Sequence, residues 1–266
     1  MTEKEMIKEV VCEPPRLRLE FMPIIHCPGC HYGIIVRILC EVIDELGIED
    51  RTIGLGGGGC TGFWTMYFNL DMFGGVHGPG IAIATALKRV HPDSIVFAAQ
   101  GDGEMGAIGL GYFMAATLRG EKITTIFLNN ACFGTTGGQM APTTLLGMPT
   151  TTTTQGRDPK VTGFPFHGAE LAASMKGTAY SARVSVHTPA NRQKAKKAVR
   201  EALEKQMAGV GFTLVEFLSA CPVNWRMGPK ECLDFIENQM IVEYPLGVFK
   251  DVDYIENLSD EQEVRT

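Results

Sequence analysis

Two groups of side chains in this sequence have the types and spacing to do chemistry. The first is Gly101-Asp102-Gly103-Glu104, followed a little under thirty residues on by Asn129-Asn130. A carboxylate and a carboxamide offer hard oxygen, which suits Mg²⁺, a cation that commonly shares its shell with phosphates. The glycines let main chain approach a phosphate closely, and a helix starting there would favour an anion. By itself the GDG tripeptide reads better as a turn, and Asn-Asn as a strand-end cap.

The second group is sulfur. His26-Cys27-Pro28-Gly29-Cys30 holds a C-x-x-C, which alone fits a thiol–disulfide motif, half a zinc site or half an iron–sulfur site. A redox dithiol needs no further cysteines, yet Cys60 stands in the glycine loop GGGGCTG and Cys221 in SACPVNW. Both follow predicted strand ends, so four thiolates could converge. On spacing they suit Zn²⁺ or a 4Fe–4S cluster. Of the other four, Cys40 reads as a small buried hydrophobe in a helix. Cys12 and Cys232 have no paired spacing, and the sulfur of Cys132 is given no role.

The elements that must position these groups are legible. Apolar residues at Ile34, Ile35, Ile38, Leu39, Val42, Ile43 and Leu46 have helical spacing, closed by Gly47 as a C-cap. TIGLGGGGC is a strand breaking into a glycine loop. A helix over Ile81–Val90 leads to SIVFAAQ, a short apolar run suited to a buried parallel strand. After GDGE come a helix over Ile108–Leu118 and a second buried strand, ITTIFLNN. Then follow a helix over Ala169–Lys176, the strand TAYSARVSV, a charged helix over Pro189–Met207 and a last strand, FTLVEFLS. Strands alternating with helices imply an α/β fold, a parallel sheet covered by helices on both faces. In such sheets ligands bind beyond the carboxyl ends of the strands, where both groups fall.

The expected organisation is an N-terminal extension (1–25), one binding domain (26–249) and an acidic, polar C-terminal tail (250–266) forming a surface extension. Thr150–Thr154 reads as a loop. Arg157 and Lys160 read as surface charges, and His26, His91, His167 and His187 as solvent-facing or structural. With 266 residues there is length for a sizeable core, and 45% hydrophobic with 20% charged is an ordinary globular balance. The net charge of −6, without a basic run, argues against a nucleic-acid partner. No stretch approaches the roughly 20 apolar residues of a membrane span, and the charged start MTEKEMIKEV lacks a signal-peptide core. A cytoplasmic location is expected, where cysteines serve metal or redox chemistry more often than disulfides.

The motifs occur as an ordered series: CPGC, then Gly-Cys-Thr-Gly at the first glycine loop, His77-Gly78 before a helix, GDG, and NACFGTTGGQMAPT from Asn130. This series, from about His26 to Asn224, resembles the β subunit of 2-oxoacid:ferredoxin oxidoreductases, which has a thiamine-diphosphate-binding fold. The resemblance implies that Asp102, Asn130 and the backbone carbonyl of Cys132 hold Mg²⁺ on the diphosphate, with Asn129 the alternative amide. It implies cofactor contacts at Gly59, Cys60, Thr61, His77, Gly78, Gly101, Gly103, Glu104, Gly134 and Thr135, with Gln139 and Thr143 weaker candidates. It assigns Cys27, Cys30, Cys60 and Cys221 to one 4Fe–4S cluster. Pro79 departs from the family, where arginine often follows the His-Gly.

The same resemblance implies oxidative decarboxylation of a 2-oxo acid to acyl-CoA, with electrons leaving through the cluster to ferredoxin. HGPGIAIATALKR and TTGGQMAPTTLLG look most like the 2-oxoisovalerate type, with 2-oxoglutarate next. The catalytic glutamate that activates thiamine is expected on a partner α subunit with the pyrimidine-binding domain. A ferredoxin or ferredoxin-like subunit completes the expected partners. The competing readings are a non-oxidative thiamine-dependent decarboxylase subunit and a zinc-stabilised interaction subunit without catalysis.

Overall fold

The structure, a computed structural model, describes residues 25–256 and Leu258. The expected extension, with Cys12, lies outside the described residues except for Ile25. Seven strands form one sheet: β1 (Thr52–Gly56), β2 (Asp71–Gly74), β3 (Ile95–Gly101), β4 (Thr124–Asn129), β5 (Thr178–Ser185), β6 (Phe212–Leu218) and β7 (Gly247–Asp251). Their order is β2-β1-β3-β4-β6-β5-β7. All neighbours are parallel except β5 and β7. The helices are α1 (Tyr32–Leu46), α2 (Gly80–Val90), α3 (Leu110–Arg119), α4 (Pro159–Thr162), α5 (Gly168–Ser174), α6 (Pro189–Met207), α7 (Pro222–Trp225), α8 (Pro229–Phe235) and α9 (Ile241–Glu243).

The pleat divides the central strands β3, β4 and β6 between two cores. Phe97 and Ala99 of β3 face a cluster with α1 and α6, while Val96 and Ala98 face one with Ile81 of α2, Phe113 of α3 and Ala172 of α5. Burial on both faces explains why β3, β4 and β6 are largely apolar runs rather than alternating ones. In α1 the stripe Ile35, Ile38, Leu39, Val42 and Ile43 is buried, and Gly47 closes it at φ 61°. Each such side chain contributes about 1.5–3 kcal/mol by leaving water. A third cluster of Trp225, Phe235 and Tyr244 packs with Ala131, Cys132 and Leu218 at the carboxyl end of the sheet.

The parallel sheet with helices on both faces is as the sequence implied, with one antiparallel edge added. The boundary expected after Phe249 is corrected, because it falls inside β7, which pairs with β5 from Tyr180–Asp251 to Arg183–Gly247. Lys205 forms ion pairs with Asp251 and Asp253, and Ile255 is buried. Residues 250–256 therefore belong to the domain rather than to a surface tail. Arg157 is also corrected. It is 5% exposed and donates to the carbonyls of Pro142, Thr144, Thr162, Gly163 and Phe164, pinning a long loop from inside. Lys160 is exposed, as expected. His167 lies between Glu170 and Glu243, and His187 bonds Glu237, so both are structural.

Candidate functional site at the strand ends

β1, β3, β4 and β6 all end on one side of the sheet. The loops leaving β1, β3 and β4 line a common pocket, at the point where the chain departs from β1 in both directions across the sheet. β1 breaks into Gly57-Gly58 and a 3₁₀ segment, Gly59–Met66. Of the expected cofactor contacts Gly59, Cys60, Thr61, His77, Gly101, Asp102, Gly103, Glu104, Asn130, Cys132, Gly134 and Thr135 line this pocket. Gly78 does not, but its N–H donates to Glu104 Oε1 at 3.2 Å.

Asp102 is 1% exposed and its oxygens are well supplied. Gly103 N donates to Oδ1 at 2.8 Å, while Asn130 N and Thr143 Oγ1 reach Oδ2 at 3.1 and 2.5 Å. Burial nevertheless outweighs these donors and lifts the carboxyl from its ordinary range to about 7. A buried carboxylate in that condition is suited to a cation, which would compensate the charge that water no longer does. Glu104 is buried too and held by Gln100 Nε2 at 3.0 Å; burial raises its pKa.

The two asparagines separate cleanly. Asn130 lines the pocket and donates through Nδ2 to the Tyr32 hydroxyl at 3.2 Å. Asn129, the last residue of β4, is fully buried and donates instead to Glu216 Oε1 at 2.8 Å. Between them and Cys132 lies Ala131 at φ 58°, a left-handed conformation that a residue with a Cβ rarely takes. Trp225 Nε1 holds the Asn130 carbonyl at 2.9 Å, and Thr144 Oγ1 the Ala131 carbonyl at 2.6 Å.

Much of the pocket wall is main chain. A Cβ at Gly58 would fall 2.5 Å from the His77 ring, and one at Gly103 would fall 2.4 Å from the ring of Phe133. No side chain fits at either position without moving its neighbour.

The sulfur corner adjoins the same pocket. A Cβ built on Gly134 would stand 3.5 Å from Cys60 Sγ, 3.8 Å from Cys221 Sγ and 3.5 Å from Asn130 Nδ2, so both cysteines border Asn130. Burial raises the thiol pKa of Cys30 to about 12, with Cys221, Cys60 and Cys27 adding to the rise. Cys60 is raised by burial, opposed by a contact with Thr135 Oγ1 at 2.9 Å. Cys221 moves the other way, lowered by its neighbour Cys132 and by Asn224 Nδ2, which donates to its sulfur at 3.2 Å. Among the described residues no three His, Cys, Asp or Glu side chains are gathered as for a single metal ion. Cys40 and Cys232 are buried, Cys40 in the first core as expected.

Several residues at the pocket were not singled out from the sequence: Tyr32, Gly58, Phe133 and Thr136 line it, and Gln100 and Trp225 support it. Thr136 and Phe133 lie within the NACFGTTGGQ string and were available there. Thr143, a weaker candidate, proves to touch Asp102 directly. Gln139 bonds Thr136 in the exposed loop instead.

An α/β sheet with an oxygen-rich, glycine-walled pocket at its carboxyl end fits a domain that binds a phosphorylated cofactor. The family described as "Thiamine pyrophosphate enzyme, C-terminal TPP binding domain" matches residues 57–217. The chain is 40% identical over 226 residues to the ketoisovalerate oxidoreductase subunit VorA of Methanothermobacter marburgensis, a match covering 85% of this chain and 47% of that relative. It is 34% identical over 244 residues to the 2-oxoglutarate synthase subunit KorB of Archaeoglobus fulgidus, covering 88% of this chain and 87% of that one. A chain of the solved 2-oxoglutarate:ferredoxin oxidoreductase from Magnetococcus marinus shares the fold, with a TM-score of 0.71 at 22% identity, over 92% of this chain and 87% of the other. The chain belongs to the thiamine-diphosphate-binding subunits of the 2-oxoacid:ferredoxin oxidoreductases. It spans about half the length of VorA, and most of KorB.

Proposed function

We propose that this chain binds thiamine diphosphate, Mg²⁺ and one 4Fe–4S cluster, and works in an obligate complex that oxidatively decarboxylates a 2-oxo acid to acyl-CoA and CO₂. The observation that carries this reading is the adjacency of two chemistries at one strand-end pocket, hard oxygen from Asp102 and Asn130 and thiols from Cys60 and Cys221. The residues fit the groups. Asp102 keeps two oxygens rich in lone pairs, and Asn130 and the Cys132 carbonyl add two neutral donors. The glycine walls leave room for a diphosphate, and Thr135, which lines that space, contacts the Cys60 sulfur. Cys27, Cys30, Cys60 and Cys221 would hold the cluster, whose several irons need wider-set thiolates than one Zn²⁺ does.

Thiamine diphosphate, when bound, supplies the electron sink for decarboxylation. This chain's own residues bind and orient. Asp102 and Asn130 would hold the cation that meets the diphosphate, while Asn224 and Thr135 contact the sulfurs of Cys221 and Cys60, contacts of the kind that would tune a cluster's reduction potential. The activating glutamate, the pyrimidine-binding domain and the route to ferredoxin belong to partner subunits. 2-Oxoisovalerate is the favoured substrate and 2-oxoglutarate the next, supported by the identities to VorA and KorB.

The test uses the native complex purified without oxygen. Coenzyme-A-dependent reduction of a low-potential dye is followed with 2-oxoisovalerate, 2-oxoglutarate and pyruvate in parallel. Preferential turnover of 2-oxoisovalerate is expected. No reduction with any of them, from protein shown to hold iron and thiamine, would overturn the reaction.

A further inference from the structure

A buried polar chain runs away from the pocket, from Asn129 into the middle of the sheet. Glu216, on β6, is fully buried. Its Oε1 accepts from Asn129 Nδ2 at 2.8 Å; its Oε2 accepts from Ala169 N at 3.2 Å and lies 3.0 Å from Arg183 Nε, an ion pair rather than an aligned hydrogen bond. Arg183, on β5, has no exposed side-chain surface and is completed by Glu170, by the Pro245 carbonyl at 3.2 Å and by the rings of Tyr244 and Phe249. A buried ion pair of this kind is weak evidence for stability, because desolvation offsets most of the attraction. Its retention asks for another reason.

That reason lies in the direction of each hydrogen bond. Both oxygens of Glu216 face donors, so the Asn129 amide has one allowed orientation, Nδ2 toward Glu216 and Oδ1 away. Oδ1 then accepts from Ala131 N at 3.2 Å. Ala131 is the residue at φ 58°, and its turn sets Asn130 facing Asp102 and Tyr32 with Cys132 beyond it. Only a carboxylate accepts at both ends. We infer that Glu216 is a positioning residue for the cation-binding turn: acting through the Asn129 amide, it locks Ala131 in its left-handed conformation and so presents Asn130 and the Cys132 carbonyl to the metal. This inference rests on the proposed cation site at Asp102 and Asn130.

The chain makes a specific prediction about Glu216→Gln. With its amide oxygen toward Ala169 and Arg183, the glutamine turns NH₂ toward Asn129 Nδ2, donor against donor. If Asn129 flips to accept, its NH₂ then confronts Ala131 N. Either way one link of the chain fails. Exchanging the two groups repairs it: in Glu216→Gln/Asn129→Asp, the carboxylate at 129 accepts from both the glutamine NH₂ and Ala131 N.

The experiment titrates thiamine diphosphate with Mg²⁺ into the cofactor-stripped native complex and reads affinity, with the melting temperature in parallel. Glu216→Gln is expected to weaken affinity about tenfold or more, in the range of partners that orient metal ligands. The exchanged double variant is expected to recover most of it. Glu170→Gln, which removes another partner of the same arginine without touching Asn129, is expected to lower the melting temperature while moving affinity less than about twofold. Equal affinity losses in Glu170→Gln and Glu216→Gln, or no recovery in the double variant, would overturn the positioning role. Asp102→Ala is run alongside: if it leaves affinity intact, the cation site itself is wrong, whereas loss in Asp102→Ala with no change in Glu216→Gln sinks only the positioning inference.

Discussion

The oxygen corner and the sulfur corner of this pocket are neighbours built in opposite ways. Asp102 and Asn130 follow adjacent strands, β3 and β4, and are fixed by amides, by Thr143 and by the Tyr32 hydroxyl, nearly out of reach of water. The cysteines come from three separate stretches, the turn before α1, the segment after β1 and the loop after β6, and Cys27 is exposed. The first corner is rigid because the sheet makes it so. The second depends on loops converging, with Thr135 and Asn224 as its main polar supports. One is a property of the fold; the other is added to it.

That contrast can be broken most sharply by removing one side at a time. Asp102→Ala should abolish retention of thiamine and Mg²⁺ while leaving iron content unchanged, read by thiochrome fluorescence and iron assay on the purified complex. Cys60→Ala should do the reverse, and an unaltered cluster absorption spectrum in that variant would remove Cys60 from the ligand set. If each variant loses both cofactors, the corners are one cooperative unit and the distinction fails.

A smaller effect tests how the oxygen corner is braced. Arg157→Met would leave the carbonyls of Thr144 and Phe164 without their donor inside the structure, while Pro142 keeps Phe166 N. Each orphaned buried acceptor costs about 1–3 kcal/mol, so a total loss of about 2–6 kcal/mol is expected in denaturant unfolding. Smallest of all, Thr143→Val keeps the shape but removes the donor to Asp102. A hydrogen bond to a charged group contributes about 1.5–3 kcal/mol, so thiamine–Mg²⁺ affinity should fall at least about tenfold, with the iron content unmoved.

The legible parts of this molecule are those with a period or a spacing. The stripe of α1, the apolar strands β3, β4 and β6, and the ordered glycine and cysteine motifs are all local patterns. Arg157 was illegible because what surrounds it is five backbone carbonyls, and carbonyls carry no residue type. β7 was missed because GVFKD is short and ends in charge, and its pairing with β5 is set sixty residues away. The choice between Asn129 and Asn130 needed the pleat: consecutive residues face opposite ways, and only the position of Glu216 shows which way is inward.

The order of synthesis gives the edge strand a consequence of its own. Arg183 is closed over by Tyr244, Pro245 and Phe249, which leave the ribosome after every pocket residue has been made. Until they arrive, the guanidinium paired with Glu216 lacks these covering groups. A nascent chain could thus form its motifs early yet acquire a fully set turn at Ala131 only at the end, and a product cut short before Tyr244 would be marked by that unfinished arginine.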